Sequence, residues 1–135
     1  MKPTRKVVTI AFYNSKKEFL FQIRWDYSKN WETHAFFWWW IEEGETHFDA
    51  LFREAKEELN IDMNDFPYVY IWENIQEWDD KINHRFVYVI KTDLEEKDFT
   101  VFEWSGCEYF TPENAKKLKF PSNYYSLIDF IVSKI

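Results

Sequence analysis

Residues 46–60 read THFDALFREAKEELN, and this stretch decides the fold because it carries a complete helix signature. Thr46 is a good N-cap, and Asp49, three residues later, completes a short capping box. Asn60 tolerates the left-handed conformation that commonly ends a helix. Apolar residues recur at helical spacing and form one stripe: Phe48, Leu51, Phe52, Ala55 and Leu59. The stretch therefore predicts an amphipathic helix that buries one of its sides.

Strand-forming segments lie on both sides of this helix. Three of them precede it and are rich in β-branched and aromatic residues: 7–13, 19–25 and 35–41. Four follow it, the first two joined by a polar connection over 76–84: 67–75, 85–92, 99–102 and 108–110. Two later helices complete the order, the first capped by Thr111 and Pro112: 114–118 and 122–135. This order predicts one α+β domain, a sandwich with a mixed sheet.

Composition and charge exclude several classes of protein. The 135 residues suit one domain, and the single cysteine, Cys107, excludes an internal disulfide and a cysteine-based zinc site. We expect Cys107 to be a small buried residue. A net charge of −7 argues against a basic surface that binds duplex DNA. The longest apolar run, over 35–41, is far shorter than the roughly 20 residues that span a bilayer, so we expect a cytoplasmic protein without membrane contact.

Three carboxylates share one side of the predicted helix. Glu54, Glu57 and Glu58 fall within about one 100° sector beside the apolar stripe. Like charges at this spacing cost roughly a few tenths of a kcal/mol each, and a divalent cation bound by their oxygens would remove that cost. The alternative is a solvated acidic helix face, with Arg53 and Lys56 as partial partners. Periodicity alone leaves both interpretations open.

The wider spacing around these carboxylates resembles the Nudix hydrolase box, G-x5-E-x7-R-E-U-x-E-E-x-G-U, in which U is a bulky aliphatic residue. The charged positions of the box are all matched in this chain: Glu45, Arg53, Glu54, Glu57 and Glu58. Gly44-Glu45-Thr46 also matches the Gly-Glu-Thr sequence that commonly precedes the family's helix. This resemblance to the Nudix, or MutT-like, family implies an α/β/α sandwich over residues 1–135, in which helices flank a mixed β-sheet.

Two departures from the box concern glycine positions. Trp38-Trp39 stands where the family has Gly-Gly, and Asn60 stands where it has a glycine after the helix. Asn60 suits the end of a helix, as described above. A tryptophan held in a left-handed conformation costs roughly 1–2 kcal/mol. We therefore expect either a different path for the loop at Trp39 or an indole that fills space normally used by substrate.

The resemblance also implies an activity and a set of roles. Nudix enzymes cleave the pyrophosphate linkage of a nucleoside diphosphate joined to another group, with Mg²⁺ or Mn²⁺ as cofactor. The implied metal-binding set comprises three side chains and one backbone carbonyl: Glu54, Glu57, Glu58 and Trp38. Arg53 and Glu45 correspond to a charge pair that orients the loop against the helix. Glu54, Glu57, Arg53 and Glu45 are thus candidate catalytic residues.

Two further candidates lie in other segments. Glu103 corresponds to a carboxylate that often comes from a loop after the helix and serves as base or extra ligand, with Glu73 and Glu77 as rivals. Arg24, at the end of the second predicted strand, matches a frequent family arginine that contacts substrate phosphate. The alternative for Arg24 is a surface salt bridge.

The aromatic run over residues 36–40 has two interpretations. It provides a stacking surface for a nucleobase, worth about 1–3 kcal/mol per base, with Trp39 and Trp40 as substrate-binding candidates, or it belongs to the core. In a strand, Trp38 and Trp40 would share one face, and Trp39 with Phe37 the other, so we expect at least one set in the core. Weaker stacking candidates lie elsewhere: Trp31, Trp78 and Trp104.

The histidines have no metal-site spacing and are expected at the surface or hydrogen-bonded: His34, His47 and His84.

Three functions are compatible with these observations. The complete set of box acids favours a metal-dependent pyrophosphohydrolase. Trp38-Trp39 in place of two glycines favours a catalytically weak or inactive module that binds nucleotides or regulates. A partner-binding domain with an acidic surface helix is the third. The expected partner is a small nucleotide-type substrate, without duplex DNA or membrane, and the many aromatic residues also suit a homodimer interface.

Overall fold

The computed structural model describes residues 2–23, 33–100, 106–120 and 124–135. Within these residues the chain forms seven strands: β1 Thr4–Tyr13, β2 Phe19–Ile23, β3 His34–Ala35, β4 Phe37–Trp40, β5 Tyr68–Glu77, β6 Ile82–Lys91 and β7 Gly106–Phe110. It also forms three α-helices there: α1 His47–Leu59, α2 Pro112–Ala115 and α3 Tyr124–Lys134. Short 3₁₀ helices cover Met63–Asp65 and Glu96–Asp98. No helix in this described part is long and apolar enough to cross a membrane.

The described strands join one mixed sheet with β1 at its centre. The main strand order is β3-β2-β1-β6-β5, while β4 also pairs with β1 and β7 with β2. β1 runs parallel to β6 over its whole length, from Thr4 beside Ile82 to Tyr13 beside Lys91. The other strand pairs are antiparallel. Because β1 and β6 have neighbours on both sides, most of their residues from Val7 and Phe86 onward are buried.

Helices cover both faces of the sheet and form the α/β/α sandwich that the resemblance implies. One core lies under α1, where the helix meets three side chains of β1: Val8, Ile10 and Phe12. The helix contributes four residues to this core: Ala50, Leu51, Ala55 and Leu59. The second core lies under α2 and α3 and includes residues of the sheet and of both helices: Ala11, Val87, Val89, Ala115, Leu127, Ile128 and Ile131. Alternation of side chains along β1 separates the two cores.

Helix α1 begins and ends where its sequence signature predicts. The Thr46 hydroxyl accepts from the Asp49 backbone N–H at 3.1 Å, and the Asp49 carboxylate accepts from the Thr46 backbone N–H at 3.1 Å. Asn60 ends the helix with φ 56° and ψ 39°, in the left-handed conformation. Within the predicted stripe Leu51 is buried, whereas Phe48, at the N-terminal end of the stripe, is 42% exposed.

The predicted strand over 35–41 is two strands in the structure. His34–Ala35 pairs with β2, whereas Phe37–Trp40 pairs with β1. The chain changes partner at Phe36, whose ring is buried in the core under α2 and α3. The split arises because β2 and β4 lie along the same edge of β1, at its opposite ends.

The other corrections concern the second half of the sheet. The polar connection predicted over 76–84 is wrong at both ends, because β5 continues to Glu77 and β6 begins at Ile82. Polar residues extend these strands because a sheet margin is open to solvent on one face. Phe99 and Thr100 do not form the predicted strand; they follow a 3₁₀ helix, and Phe99 is buried under the sheet. The rest of that prediction lies outside the described residues.

Candidate active site

Arg53 and Glu45 form a two-point ion pair beside the beginning of α1. Arg53 Nε donates to Glu45 Oε2 at 2.7 Å, and Arg53 Nη2 donates to Glu45 Oε1 at 2.9 Å. The same carboxylate accepts from the Glu42 backbone N–H at 2.9 Å. Glu45 precedes the helix and Arg53 lies about two turns into it. The pair therefore ties the loop between β4 and α1 to the body of the helix.

The Arg53 guanidinium also contacts the acidic side of α1. Its Nη1 atom donates to Glu54 Oε1 at 2.7 Å and to Glu57 Oε2 at 3.3 Å. Arg53 and Glu54 are largely covered, whereas the Glu57 side chain is 56% exposed. One cation thus joins the loop acid Glu45 to two of the acids that the sequence predicts as metal ligands.

Mutual hydrogen bonding shifts the pKa values of the ion pair in opposite directions. The hydrogen bonds from Arg53 lower the pKa of Glu45 to about 2, although partial burial acts in the other direction. The hydrogen bond to Glu45 raises the pKa of Arg53 above its usual range. Both groups consequently remain charged throughout the neutral pH range, and the pair persists there.

The three carboxylates of the predicted metal site come together on α1. Glu54, Glu57 and Glu58 each offer one oxygen, and these oxygens all lie within 4.8 Å of one another. Two oxygens bound to the same Mg²⁺ lie at most about 4.2 Å apart, so small side-chain rotations bring this set to ligand distance. Hard oxygen donors of this kind suit Mg²⁺ or Mn²⁺. The residues present therefore fit a divalent cation.

Trp38 and Trp39 occupy regular strand positions in β4. Trp38 pairs with Thr9 of β1, and Trp39 pairs with Val8. Neither tryptophan has a positive φ angle. The backbone penalty that the sequence suggested for Trp39 does not arise, because extended strand backbone has a negative φ angle that any residue adopts.

The three tryptophans of β4 alternate between the two faces of the sheet. Trp38 and Trp40 meet edge to face with ring centres 5.2 Å apart. Trp39 points the other way, into the core under α1, next to Phe37. Its side chain is 6% exposed and offers no free face to a ligand, whereas Trp40 is 46% exposed. Burial thus places Trp39 in the core, against its prediction as a substrate-binding residue, and leaves Trp40 as the accessible indole.

A cleft of about 650 Å³ opens beside Trp40. It lies between the start of β1 and the loop before α1, and its walls include Arg5, Lys6 and Glu45. The Arg5 guanidinium carbon is 5.5 Å from the centre of a Trp40 ring. Because Glu45 belongs both to the cleft wall and to the ion pair with Arg53, the cleft adjoins the carboxylate cluster.

A buried hydroxyl lies on the same sheet face as Trp38 and Trp40. Thr9 pairs with Trp38 across β1 and β4 and is fully buried. In the described part of the chain its hydroxyl oxygen has no hydrogen-bond partner. A buried polar atom without a partner costs about 1–3 kcal/mol, and such atoms in native structures often mark a place for water or ligand.

The remaining predicted site residues lie apart from this cluster or outside the described residues. Glu73 Oε2 on β5 lies 2.7 Å from His84 Nε2, at hydrogen-bond distance, and Glu77 forms an ion pair with Lys2 at 3.2 Å. Both alternatives for the base lie on the edge strand β5 and have other partners. Four predicted residues fall outside the described ranges: Arg24, Trp31, Glu103 and Trp104.

Some residues at the site were not identified from sequence. Arg5 and Thr9 share a face of β1, but only the pairing of β1 with β4 shows that this face carries Trp38 and Trp40. No sequence signal predicts that pairing. Cys107 is half-buried rather than buried as predicted, and its thiol donates to the Glu96 carbonyl at 3.7 Å. Burial raises the pKa of this thiol to about 11, which excludes a thiolate nucleophile at neutral pH.

Comparisons with known proteins agree with this fold. The family model described as the NUDIX domain matches residues 3–130. Among similar solved structures, the MutT protein from Methanosarcina mazei Go1 is 16% identical, with a TM-score of 0.77 over 98% of this chain and 96% of that chain. The E. coli dihydroneopterin triphosphate pyrophosphohydrolase is 18% identical, with a TM-score of 0.75 over 99% of this chain and 100% of that chain.

A third structure carries a ligand. The NUDIX domain of Shewanella oneidensis NrtR, complexed with ADP ribose, is 9% identical, with a TM-score of 0.77 over 99% of this chain and 90% of that chain. At these identities the structural similarity concerns the fold alone. No curated protein sequence is significantly similar to this chain.

Proposed function

The chain belongs to the NUDIX domain family, and we propose that it is a metal-dependent hydrolase that cleaves the pyrophosphate linkage of a nucleoside diphosphate joined to another group. The observation that carries this proposal is the clustering of the three α1 carboxylates, with oxygens within 4.8 Å, beside the Arg53–Glu45 pair. A merely solvated acidic face does not require an arginine that binds the loop acid and two helix acids together.

The cation is proposed to be Mg²⁺ or Mn²⁺, held by Glu54, Glu57 and Glu58 with the Trp38 carbonyl as a further candidate ligand. When bound, such an ion neutralises the charge of a pyrophosphate and lowers the pKa of a bound water. The residues of the chain have separate tasks. Arg53 keeps Glu54 and Glu57 in place through its hydrogen bonds, and Glu45 holds Arg53 from the loop side. Glu103 stays the candidate for the general base.

The nucleoside part of the substrate is proposed to lie on the sheet face that carries Trp40. The exposed indole offers a surface for base stacking, worth about 1–3 kcal/mol. The neighbouring Arg5 supplies a positive charge beside this indole. The cleft of about 650 Å³ beside Trp40 is large enough for a nucleotide-sized group. Arg24 stays a candidate for contact with phosphate.

The decisive experiment measures product release from a broad panel of nucleotides with Mg²⁺, with Mn²⁺ and with a chelator. We expect metal-dependent turnover that falls at least about 100-fold in Glu57→Gln, because this substitution removes a ligand charge. Glu113→Gln is the matched control, since Glu113 is an exposed glutamate on α2, and it should retain full activity. Absence of turnover on every nucleotide would reject the proposal.

A second candidate function is nucleotide binding without turnover. Its supporting observation is the bulk of Trp38 and Trp39 at positions where the family has two glycines. This function predicts saturable nucleotide binding in calorimetry, unchanged by Glu57→Gln, together with no product. Robust hydrolysis that Glu57→Gln removes would eliminate it.

A further inference from the structure

The first turn of α1 is docked on the sheet by a stack of aromatic rings around His47. The imidazole stacks against two rings of the sheet: Phe86, with ring centres 4.4 Å apart and planes 12° apart, and Tyr70, at 4.8 Å and 28°. Its Nδ1 atom is 2.7 Å from the Tyr88 hydroxyl, at hydrogen-bond distance. His47 therefore joins the helix to both β5 and β6 by stacking and by one polar contact.

This polar contact is partly buried. Tyr88 is 2% exposed, and its burial raises the pKa of the phenol to about 12. Partial burial lowers the pKa of His47, while the nearby Glu73 acts in the opposite direction. A neutral imidazole and a protonated phenol match as hydrogen-bond partners, since each ring nitrogen of neutral histidine is either a donor or an acceptor.

Few other side chains hold this end of the helix. Of residues 47–50, only Ala50 is fully buried; Phe48 is 42% exposed, although its ring centre lies 5.8 Å from that of Tyr68 on β5. His47 follows Thr46, the N-cap, and lies two residues after Glu45. The position of the Glu45 carboxylate, and through it that of Arg53, therefore depends on how firmly the first turn is docked.

We propose that His47 is a positioning residue for the hydrolysis proposed above, and that its contact with Tyr88 holds the Glu45–Arg53 pair in register with the α1 carboxylates. The effect on turnover rests on the proposed function. The effect on the position of the Glu45–Arg53 pair does not depend on that function. His47 packs on the sheet face under α1, whereas the proposed nucleotide face carries Trp40 on the other side. Its loss should consequently affect turnover rather than nucleotide affinity.

The test compares two conservative variants. His47→Phe keeps a stacking ring and removes the nitrogen, and Tyr88→Phe removes only the hydroxyl. We expect each to lower kcat about 10-fold with KM within about two-fold, because small misplacement of reacting groups slows the chemical step. The double variant should be no slower than either single one, because both remove the same contact.

Tyr109→Phe is the matched control. The Tyr109 hydroxyl donates to the Leu94 carbonyl at 2.8 Å at the margin of the same core but away from α1. It should retain kcat within about two-fold. Equal losses of kcat in Tyr109→Phe and Tyr88→Phe would overturn the proposal, because any core hydrogen bond would then have the same effect.

A second measurement does not depend on activity. The NMR signal of the Arg53 Nε–H, assigned with Arg53→Lys, reports the ion pair with Glu45. In folded His47→Phe we expect it to shift towards the position of a solvent-exposed guanidinium. An unshifted signal would refute the positioning role. If the unmodified protein cleaves no nucleotide, the proposed function fails, and the Arg53 signal alone decides the inference.

Discussion

At the scale of single residues, Arg53 organises the site because its guanidinium contacts several of the acids at once. Its guanidinium contacts Glu45, Glu54 and Glu57 within 3.3 Å and lies 3.8 Å from Glu42. An arginine suits this role because its planar fork binds one carboxylate at two points and keeps further donors for others. It reduces the mutual repulsion of the helix acids when no cation is bound.

The Glu45–Arg53 pair should make stability depend on acid pH. The folded pKa of Glu45 is about 2, below its ordinary value of 4.5, so its stabilisation is complete above about pH 5 and is lost as the pH falls from 4.5 to 2. Urea unfolding of the protein and of Glu45→Gln should differ by about 1–2 kcal/mol at pH 7, after allowance for solvent screening. The difference should shrink towards pH 2; a constant difference would contradict the pair.

Substitution of Trp39 should mainly lower stability, whereas substitution of Trp40 should mainly weaken nucleotide binding. Trp39→Ala should lower the free energy of unfolding by about 3–5 kcal/mol, because it removes a buried indole and leaves a cavity. Trp40→Ala should cost less than about 1 kcal/mol but weaken nucleotide binding by roughly 5- to 100-fold, the equivalent of one lost stacking contact. Chemical denaturation and calorimetric titration measure the two effects. A stability loss in Trp40→Ala as large as that in Trp39→Ala would contradict this assignment.

At the scale of elements, α1 serves both the fold and the site. Its apolar side forms one core, and its acidic side carries the proposed metal ligands. The sequence predicted its caps, stripe and carboxylate cluster correctly because all of them depend on spacing within one helix, which is set by backbone geometry. It did not predict the docking of His47, which depends on residues of β5 and β6.

Removal of the N-cap should weaken α1 measurably. Thr46→Ala removes the side-chain oxygen that accepts from the Asp49 N–H and should lower the free energy of unfolding by about 1 kcal/mol. Thr46→Ser keeps that acceptor and should change the free energy of unfolding by only about 0.3 kcal/mol. Urea unfolding at neutral pH distinguishes the two, and equal effects of both substitutions would argue against a capping role.

The C-terminal end of α1 offers a second test. Asn60 has φ 56°, where residues other than glycine and asparagine are strained. Asn60→Gly should raise the free energy of unfolding by up to about 1 kcal/mol, and Asn60→Ala should lower it by about as much. Thermal denaturation with both variants measures the effect. If glycine destabilises more than alanine, the left-handed geometry is wrong.

At the scale of the whole molecule, the sheet divides the interior into two cores. Ile10 lies in the core under α1, and Ile128 lies in the core under α2 and α3. Ile10→Val and Ile128→Val should each cost about 0.5–1.5 kcal/mol. Their double variant should equal the sum within about 0.5 kcal/mol, because the two side chains share no contacts. A larger deviation in urea unfolding would show that the cores are coupled through the sheet.

The amino-acid sequence was enough to predict α1, its caps, its acid spacing and the α/β/α class, because these follow from local geometry and from a motif within 23 residues. Tertiary structure alone decided which face of the sheet each aromatic side chain occupies. It placed Trp39 in the core, left Trp40 beside Arg5, and brought Tyr88 to His47. Such contacts depend on which strands pair and in which register, and a shift of one residue moves every side chain to the opposite face. Local spacing contains no information about that register.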